Sequence, residues 1–258
     1  MPSPGLRLGA GLFALGLLAA CANQPETQPG ETRAEERTRV ADLNTQLGLE
    51  YMRDGNNETA LKRLEKAVET DPKHAPAYTA LALLYSRLGE VAKAEANFQA
   101  ALRLAPNNGN TLNNYGMFLC QQKRYADGEA ALLKAVKNPL YAAPAIAYTN
   151  AGLCAEQAGN PQAAEDYFRQ ALEINPNIGP ALFGMAELSF KRGDAAGAAQ
   201  YLNRHLKSAG ASARALALGV QIEKQTANHD RQASYEMMLR NQFPDSPETG
   251  QLQRGELY

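Results

Sequence analysis

The chain has 258 residues, of which 45% are hydrophobic, and its 26 basic and 27 acidic residues give a formal net charge of −1. That length and hydrophobic content allow a sizeable core, either as one large domain or as one repeat array. The near-neutral charge lacks the basic excess that a phosphate-binding surface requires, so no nucleic-acid partner is expected.

The N-terminal segment is typical of an exported protein. Arg7 precedes an uncharged run from Leu8 to Ala20, which suits the apolar region of a secretory signal and is too short to span a bilayer. The run ends in Leu18-Ala19-Ala20-Cys21, which resembles the bacterial lipobox. We predict that residues 1–20 are a lipoprotein signal peptide and that Cys21 is the acylated N-terminus. The alternative is an ordinary signal peptide followed by a coincidental cysteine.

Residues 21–38 are predicted to form a flexible tether between the lipid and the folded part. From Ala22 to Thr38 the chain is rich in Pro, Gln, Glu and Thr and has no apolar periodicity, so it cannot bury enough surface to offset chain entropy. Ala22 stands where an Asp retention signal would be, which by the rule for bacterial lipoproteins implies the outer membrane. The predicted location is therefore the periplasmic face of the outer membrane.

Two ladders of residues predict a repeat over residues 39–246. A set of prolines and a set of glycines recur at one common interval, or at about twice that interval. The interval of about 34 residues is the period of the tetratricopeptide helix-turn-helix unit, in which glycine ends the first helix and proline follows the second. We therefore predict an all-α tetratricopeptide-repeat superhelix of about six repeats. The ladders are Pro72, Pro106, Pro176 and Pro244, and Gly55, Gly89, Gly159 and Gly193.

The repeats differ in how well they fit this pattern. Repeat two has Ala94 and Phe98 where helices of a pair should cross closely, because a small residue lets the axes approach and a ring fills the adjacent space. Repeat three departs from it, with Gly128 at the alanine position and Leu140 in place of the proline. Repeat six is degenerate and is a candidate end cap. The register gives repeats at 41–74, 75–108, 109–142, 145–178, 179–212 and 213–246, and leaves 247–258 as a C-terminal tail.

A candidate partner-binding groove follows from the same register. Positions 2, 5, 9 and 12 of each first helix face the concave side in tetratricopeptide proteins, and here they form a mainly apolar stripe. Such a stripe suits an amphipathic helix or a hydrophobic strand of a partner. The alternative is that neighbouring repeats shield these side chains. The stripe contains Leu49, Met52, Thr79, Leu83, Asn113, Met117, Thr149, Leu153, Phe183 and Glu187. Asn113, and Asn114 beside the stripe, are candidates for bonding either to the backbone of a partner or across to repeat four.

Two cysteines remain if Cys21 is acylated. Cys120 and Cys154 lie one repeat period apart, on the first helices of adjacent repeats, and in an oxidising compartment such a pair normally forms a disulfide. An insertion of two residues before repeat four shifts their repeat positions from 12 to 10, so the sequence does not guarantee the geometry. The alternative is a pair of inert buried thiols.

No catalytic motif is evident in the sequence. His74, His205 and His229 are far apart and none has a second ligand at metal-binding spacing, and no glycine-rich phosphate loop or nucleophile elbow is present. We therefore expect a protein that is not an enzyme and that has no metal, cofactor or small-molecule substrate.

The whole chain resembles the outer-membrane lipoprotein of type IV pilus biogenesis, the tetratricopeptide pilotin of the pilus secretin. The resemblance rests on the lipobox, on the six repeats, and on segments that general repeats do not share. It implies that the chain binds secretin subunits in the periplasm, brings them to the outer membrane and promotes their multimerisation. The alternatives are a scaffold for another envelope partner and, more remotely, an enzyme acting on the cell wall. The shared segments are Thr111–Gly116, Phe118–Cys120, Gln122–Tyr125, Asn138–Tyr141, Asn150–Cys154 and Ala215–Gly219.

Overall fold

The computed structural model describes residues 32–257, and in this range the chain folds into thirteen α-helices without a β-strand. The predicted signal peptide, Cys21 and most of the predicted tether lie outside the described residues. No helix between residues 32 and 257 is long and apolar enough to cross a bilayer. The helices are α1 (Arg33–Arg53), α2 (Asn57–Thr70), α3 (Ala75–Arg87), α4 (Val91–Leu104), α5 (Gly109–Gln121), α6 (Tyr125–Val136), α7 (Pro144–Gln157), α8 (Pro161–Ile174), α9 (Gly179–Lys191), α10 (Ala195–Ala209), α11 (Ala213–Gln225), α12 (His229–Gln242) and α13 (Pro247–Gln253).

Twelve of these helices form six antiparallel pairs. Each odd-numbered helix from α1 to α11 packs against the even-numbered helix after it, and α2, α4, α6, α8 and α10 each pack against the first helix of the next pair. The second to sixth pairs begin at, or directly beside, the starts that the predicted register gives. The prediction of an all-α tetratricopeptide superhelix is confirmed. These starts are Ala75, Gly109, Pro144, Gly179 and Ala213.

The repeat region begins earlier than predicted. Helix α1 starts at Arg33, so residues 33–38 of the predicted tether are helical. The physical reason is a capping box, in which the Thr32 hydroxyl accepts from the Glu35 backbone N–H and the Glu35 carboxylate accepts from the Thr32 N–H. Thr38 Oγ1 also donates to Asp71 Oδ2 at 2.9 Å, which ties the added turns to the end of α2. Local capping therefore overrides the polar composition on which the tether prediction rested.

The predicted C-terminal tail contains a further helix. In α13 the Ser246 hydroxyl caps the first turn by accepting from Thr249 N, and the Thr249 hydroxyl donates to Phe243 O at 2.7 Å. Leu252 and Leu257 are buried against α11 and α12. Residues 247–257 thus belong to the fold and close the last repeat.

The first helix of every pair ends in a residue with left-handed backbone. Glycine occupies this place in four repeats, with φ between 76° and 87° at Gly55, Gly89, Gly159 and Gly193. Lys123 and Ala227 occupy it in repeats three and six, with φ of 62° and 55°. A side chain at such an angle is strained, because the Cβ crowds the following carbonyl group. The glycine ladder therefore marks the left-handed ends of the first helices. Repeats three and six have a strained non-glycine residue at this position.

Replacing Ala227 by glycine is expected to stabilise the protein by about 1 kcal/mol, because glycine removes the Cβ from the left-handed position. Denaturant unfolding of Ala227→Gly against the parent chain measures the change. The matched control is Ala158→Gly, since Ala158 caps α7 with ordinary right-handed backbone (φ −74°) and glycine there should destabilise. Equal effects at the two positions would show that backbone strain at Ala227 is negligible.

The core is a row of clusters, each of which joins neighbouring repeats. Phe98 of repeat two is fully buried, and its ring centroid lies 5.3 Å from that of Tyr115 and 5.4 Å from that of Phe118 in repeat three. Phe168 holds the same position in repeat four and is also fully buried, between Gly152 of its own repeat and Gly184 of the next. At these interfaces a large side chain fills the space between repeats, and stability depends on neighbour contacts.

Polar side chains add a second set of links between repeats. Glu95 on α4 accepts from Arg124 Nη1 at 2.6 Å and from the Tyr115 hydroxyl at 3.1 Å. The hydrogen bond from Arg124 holds the pKa of Glu95 below its ordinary value. One repeat further on, the Tyr167 hydroxyl donates to Glu129, and burial raises the pKa of that tyrosine. These bonds help to fix the angle between successive pairs.

Candidate partner-binding groove

The first helices line the concave face of the array. Consecutive first helices, from α1 to α11, contact one another, whereas no two consecutive second helices do so within residues 32–257. The stack must therefore curve towards the first helices, which are crowded on the inner side, while the second helices spread on the outer side. The face on which the candidate groove residues were predicted is thus the inner one.

The polar members of the predicted stripe lie inside the stack instead of on the open face. Thr79 and Asn113 are buried. Thr79 Oγ1 lies 2.8 Å from Thr111 Oγ1 of the next repeat, and Asn150 Nδ2 of repeat four donates to Asn113 Oδ1 at 2.9 Å. These bonds join neighbouring first helices. The two residues therefore set the distance between those helices and are not available to a partner. Of the two roles considered for Asn113, the bond to repeat four is the one observed.

The remaining polar positions of the stripe are also engaged within the chain. Thr149 is buried and its hydroxyl donates to Ala145 O at 2.7 Å, as a threonine does inside a helix. Asn114 is half-buried, and its Oδ1 lies 3.4 Å from Asn113 Nδ2. Asn114 keeps the more open position of the two asparagines.

The apolar members keep part of their surface open along repeats one to four. Leu49 is 38% exposed, and Met52, Leu83, Met117 and Leu153 are half-buried. Each half-buried side chain packs against a core cluster of its own region, so one side is fixed while the other faces the concave space. This open apolar row, defined by these five residues and called the groove stripe below, is a preformed surface for an apolar segment.

Beyond the groove stripe, the last two predicted positions, Phe183 and Glu187, contact a charged residue of repeat six. The guanidinium of Arg214 lies 4.9 Å from the centre of the Phe183 ring and is held there by Glu187 Oε1 and Oε2 at 2.6 and 2.7 Å. Phe183, a predicted groove residue, is thereby covered on one face by a cation. Sequence reasoning placed Glu187 in the stripe and missed Arg214. The available signal was a pair of opposite charges on first helices of adjacent repeats.

A disulfide crosses the floor of the groove between repeats three and four. Cys120 and Cys154 are bonded, with their Cα atoms 5.6 Å apart, and both are buried. A Cβ at Gly128 would lie 2.3 Å from Cys120 Sγ and 2.8 Å from Gly116 O, so glycine replaces the usual alanine of this repeat where the sulfur and the backbone of α5 leave no room for a methyl group. The bond links α5 to α7, and Met117 packs beside it. The centre of the groove stripe therefore rests on a covalently fixed pair of helices.

The histidines show no common site. Buried His74 has Nε2 at 3.3 Å from Asp42 Oδ1, at the junction of α1 and α3, whereas His205 Nδ1 contacts Gly179 O at 2.9 Å. Within the described part of the chain no three His, Cys, Asp or Glu side chains are placed to hold a metal ion.

The helix pairs and their inner groove define a tetratricopeptide repeat protein, a class built for protein-protein contact. Models of the tetratricopeptide repeat match residues 45–109, 108–177 and 155–222. Type IV pilus assembly protein PilF of Pseudomonas aeruginosa is 35% identical over 242 residues, which cover 94% of this chain and 95% of the relative.

Solved structures agree with this relationship. The structure of Pseudomonas aeruginosa PilF matches with a TM-score of 0.76 and 35% identity, covering 85% of this chain and 99% of that one. PilW, described as a widely conserved type IV pilus biogenesis factor, matches with a TM-score of 0.76 and 32% identity, covering 83% and 99%. The chain belongs to the family of PilF and PilW.

Proposed function

We propose that this chain is a lipid-anchored outer-membrane protein of type IV pilus biogenesis that binds secretin subunits and promotes their localisation and multimerisation. The observation that carries the proposal is the similarity to PilF along nearly the whole length of both proteins, at 35% identity. A match of that extent takes in nearly all of both chains, which a similarity of single repeats would not.

The groove stripe is the proposed contact surface for the secretin. Its open row of Leu and Met side chains runs along repeats one to four, and such a row accommodates an amphipathic helix or an extended apolar segment. Methionine suits this task because its unbranched side chain adapts to the partner's shape. The disulfide beside Met117 preorganises the middle of the groove stripe. The chain therefore loses less conformational entropy when a partner binds.

The proposed location rests on Cys21. The Leu18–Cys21 segment has the form of a lipobox, and acylation of Cys21 would attach the array to a bilayer by burying hydrocarbon. Ala22 at the following position supports the outer membrane as the destination. Mass spectrometry of the N-terminal peptide tests this part alone, and a peptide that begins elsewhere or carries no acyl group would refute the anchor.

Aspartate in the groove stripe is expected to weaken secretin capture at least about thirtyfold, the effect of losing one central contact of about 2 kcal/mol. The variants are Leu83→Asp and Met117→Asp, together with Leu49→Asp, whose more exposed position leaves folding least affected. The control is Met237→Asp, because Met237 is 61% exposed on the outer helix α12. Capture is measured with purified secretin, and heat-resistant secretin multimers are measured in outer membranes.

The outcomes test the pilus role and the groove contact separately. Both are supported if multimers are lost in cells without the protein and in the groove-stripe variants, and are kept in Met237→Asp. Normal multimers in the stripe variants, with their melting temperatures unchanged, would move the contact to another face. Normal multimers in cells lacking the protein would refute the pilus role and favour an envelope scaffold with a different partner.

A further inference from the structure

The loop between α6 and α7, residues 137–143, presents one apolar side chain to solvent in a fixed position. Leu140 is 89% exposed, the largest value for a large hydrophobic residue in the described part of the chain. The loop is braced, because Asn138 Nδ2 donates to Asn107 O at 2.6 Å and Leu140 N donates to Asn138 Oδ1 at 2.9 Å. Tyr141 next to it is buried against Gly109. Leu140 adds nothing to the packing of the fold and is held in a position where it can contact another surface.

Two lysines stand beside this leucine. Lys134 and Lys137, in and after the last turn of α6, are exposed and border a shallow cavity of about 220 Å³ together with Asn107, Asn138 and Pro139. Neither ammonium group is paired with a carboxylate among residues 32–257, and residues 132–143 contain no Asp or Glu. The cavity therefore offers two cations and amide groups at one rim, which is the chemistry that binds a phosphate.

The position of the loop in the array brings it to the side from which the proposed anchor leaves. In antiparallel pairs the first helices begin and the second helices end at the same edge, so the loop after α6 shares an edge with the start of α1 at Arg33. Eleven residues separate Cys21 from Arg33, and they span at most about 40 Å. An acyl chain on Cys21 would thus keep this edge within reach of the bilayer.

We propose that this edge docks on the phospholipid surface that holds the anchor, with Leu140 inserted at the headgroup level and Lys134 and Lys137 on the phosphate of an anionic lipid. The proposal rests on the acylation of Cys21 in the proposed function. The consequence concerns the orientation of the array. With the loop edge on the membrane, the helix axes stand across the membrane plane and the groove stripe faces sideways. A partner segment close to the membrane surface could then enter the groove from the side.

A lipid surface fits this site better than a protein does. A stable protein interface needs about 1,000 Å² or more with an apolar centre, whereas this site has one leucine surrounded by lysine, asparagine and proline. One inserted apolar side chain with flanking cations is the pattern of peripheral membrane contact, in which each lysine near an anionic surface contributes favourably to binding.

The test uses tryptophan fluorescence, since the natural chain contains no Trp. Full-length Leu140→Trp, purified from membranes, is reconstituted in vesicles of phosphatidylglycerol and phosphatidylcholine with brominated acyl chains. The expected result is emission at shorter wavelength than from Met237→Trp in the same vesicles, with quenching by the bromine atoms. The control is Met237→Trp, which places the same ring at an exposed position on α12 and should show neither change.

Variants of the two lysines, and a measurement with added secretin, complete the test. In the Leu140→Trp chain, Lys134→Gln and Lys137→Gln should each lower the ratio of docked to undocked molecules about fivefold. Identical emission from Leu140→Trp and Met237→Trp in vesicles would overturn the proposal, as would a shift that appears only when secretin is added. The N-terminal mass of the same sample reports the anchor separately. A failure with intact acylation counts against the loop alone, and a missing acyl group counts against both proposals.

Discussion

Replacing both Cys120 and Cys154 by alanine is expected to lower the free energy of unfolding by roughly 3–4 kcal/mol, because the bond closes a long loop in the unfolded chain, with a sequence separation of 34. The loss should be large for this architecture, since repeats contact only their neighbours and no distant contact compensates. Guanidinium unfolding followed by circular dichroism measures it. A change below about 1 kcal/mol would contradict this and indicate that the unfolded chain without the bond keeps residual structure in this loop.

The neighbouring glycine provides an internal control for this prediction. Gly128→Ala in the oxidised protein should cost about 2 kcal/mol, because the new Cβ would lie 2.3 Å from Cys120 Sγ and 2.8 Å from Gly116 O. The same substitution should cost less in the chain without the two cysteines, where the contact with the sulfur is gone and the backbone contacts remain. Ala94, at the same position in repeat two, shows that a methyl group is otherwise accepted there. Equal costs in both backgrounds would refute the link between Gly128 and the disulfide.

Phe168→Ala is expected to cost about 3–5 kcal/mol, the range for removing a buried aromatic ring. Phe168 is fully buried and fills the space between Gly152 and Gly184, so its loss opens a cavity at the interface between repeats four and five. Neither glycine has a side chain that can move into the gap. The matched control is Met237→Ala, an exposed position on α12, which should change stability by less than about 0.5 kcal/mol.

The measurement for Phe168→Ala is the same guanidinium titration, read together with the slope of the transition. A loss of less than about 2 kcal/mol would indicate that repeats four and five close over the cavity by shifting together. A biphasic transition would show that the array divides at this interface into two units that unfold separately.

The periodic features of this fold could be read from the sequence, whereas its local exceptions could not. The Gly and Pro ladders mark backbone positions that recur once per repeat, and the structure confirms the repeat starts that they predict. The composition of residues 33–38 favours a tether, whereas the Thr32 and Glu35 capping pair, which is also present in the sequence, favours the helix that the structure shows.

The sequence predicted which helices line the groove, but it did not predict which of their side chains are covered by the next repeat. Repeat position determines which way a side chain points, and the stripe residues belong to the first helices, which form the inner side of the array. Whether the next repeat covers that side chain depends on the angle between pairs, which distant packing sets. Thr79 and Asn113 are covered for this reason, whereas Leu49 in the first repeat stays open.

The disulfide depended on a similar detail. The two-residue insertion before α7 moves Cys154 within its repeat, and only the structure shows that the Cα atoms still come within 5.6 Å. Gly128 was visible in the sequence as an exception to the alanine rule. Its cause, the close approach of Cys120 Sγ and Gly116 O to this position, needed the structure.

The two ends of the array are unequal, and this limits self-association. Helix α13 seals the C-terminal end with Leu252 and Leu257, whereas the N-terminal end is α1, whose Leu43 is 52% exposed. A filament grows only when one end of a subunit fits the opposite end of the next. Within the described residues, α13 with Leu252 and Leu257 covers the face of the last repeat that head-to-tail stacking of chains would use, so this end offers no open repeat face to a second α1.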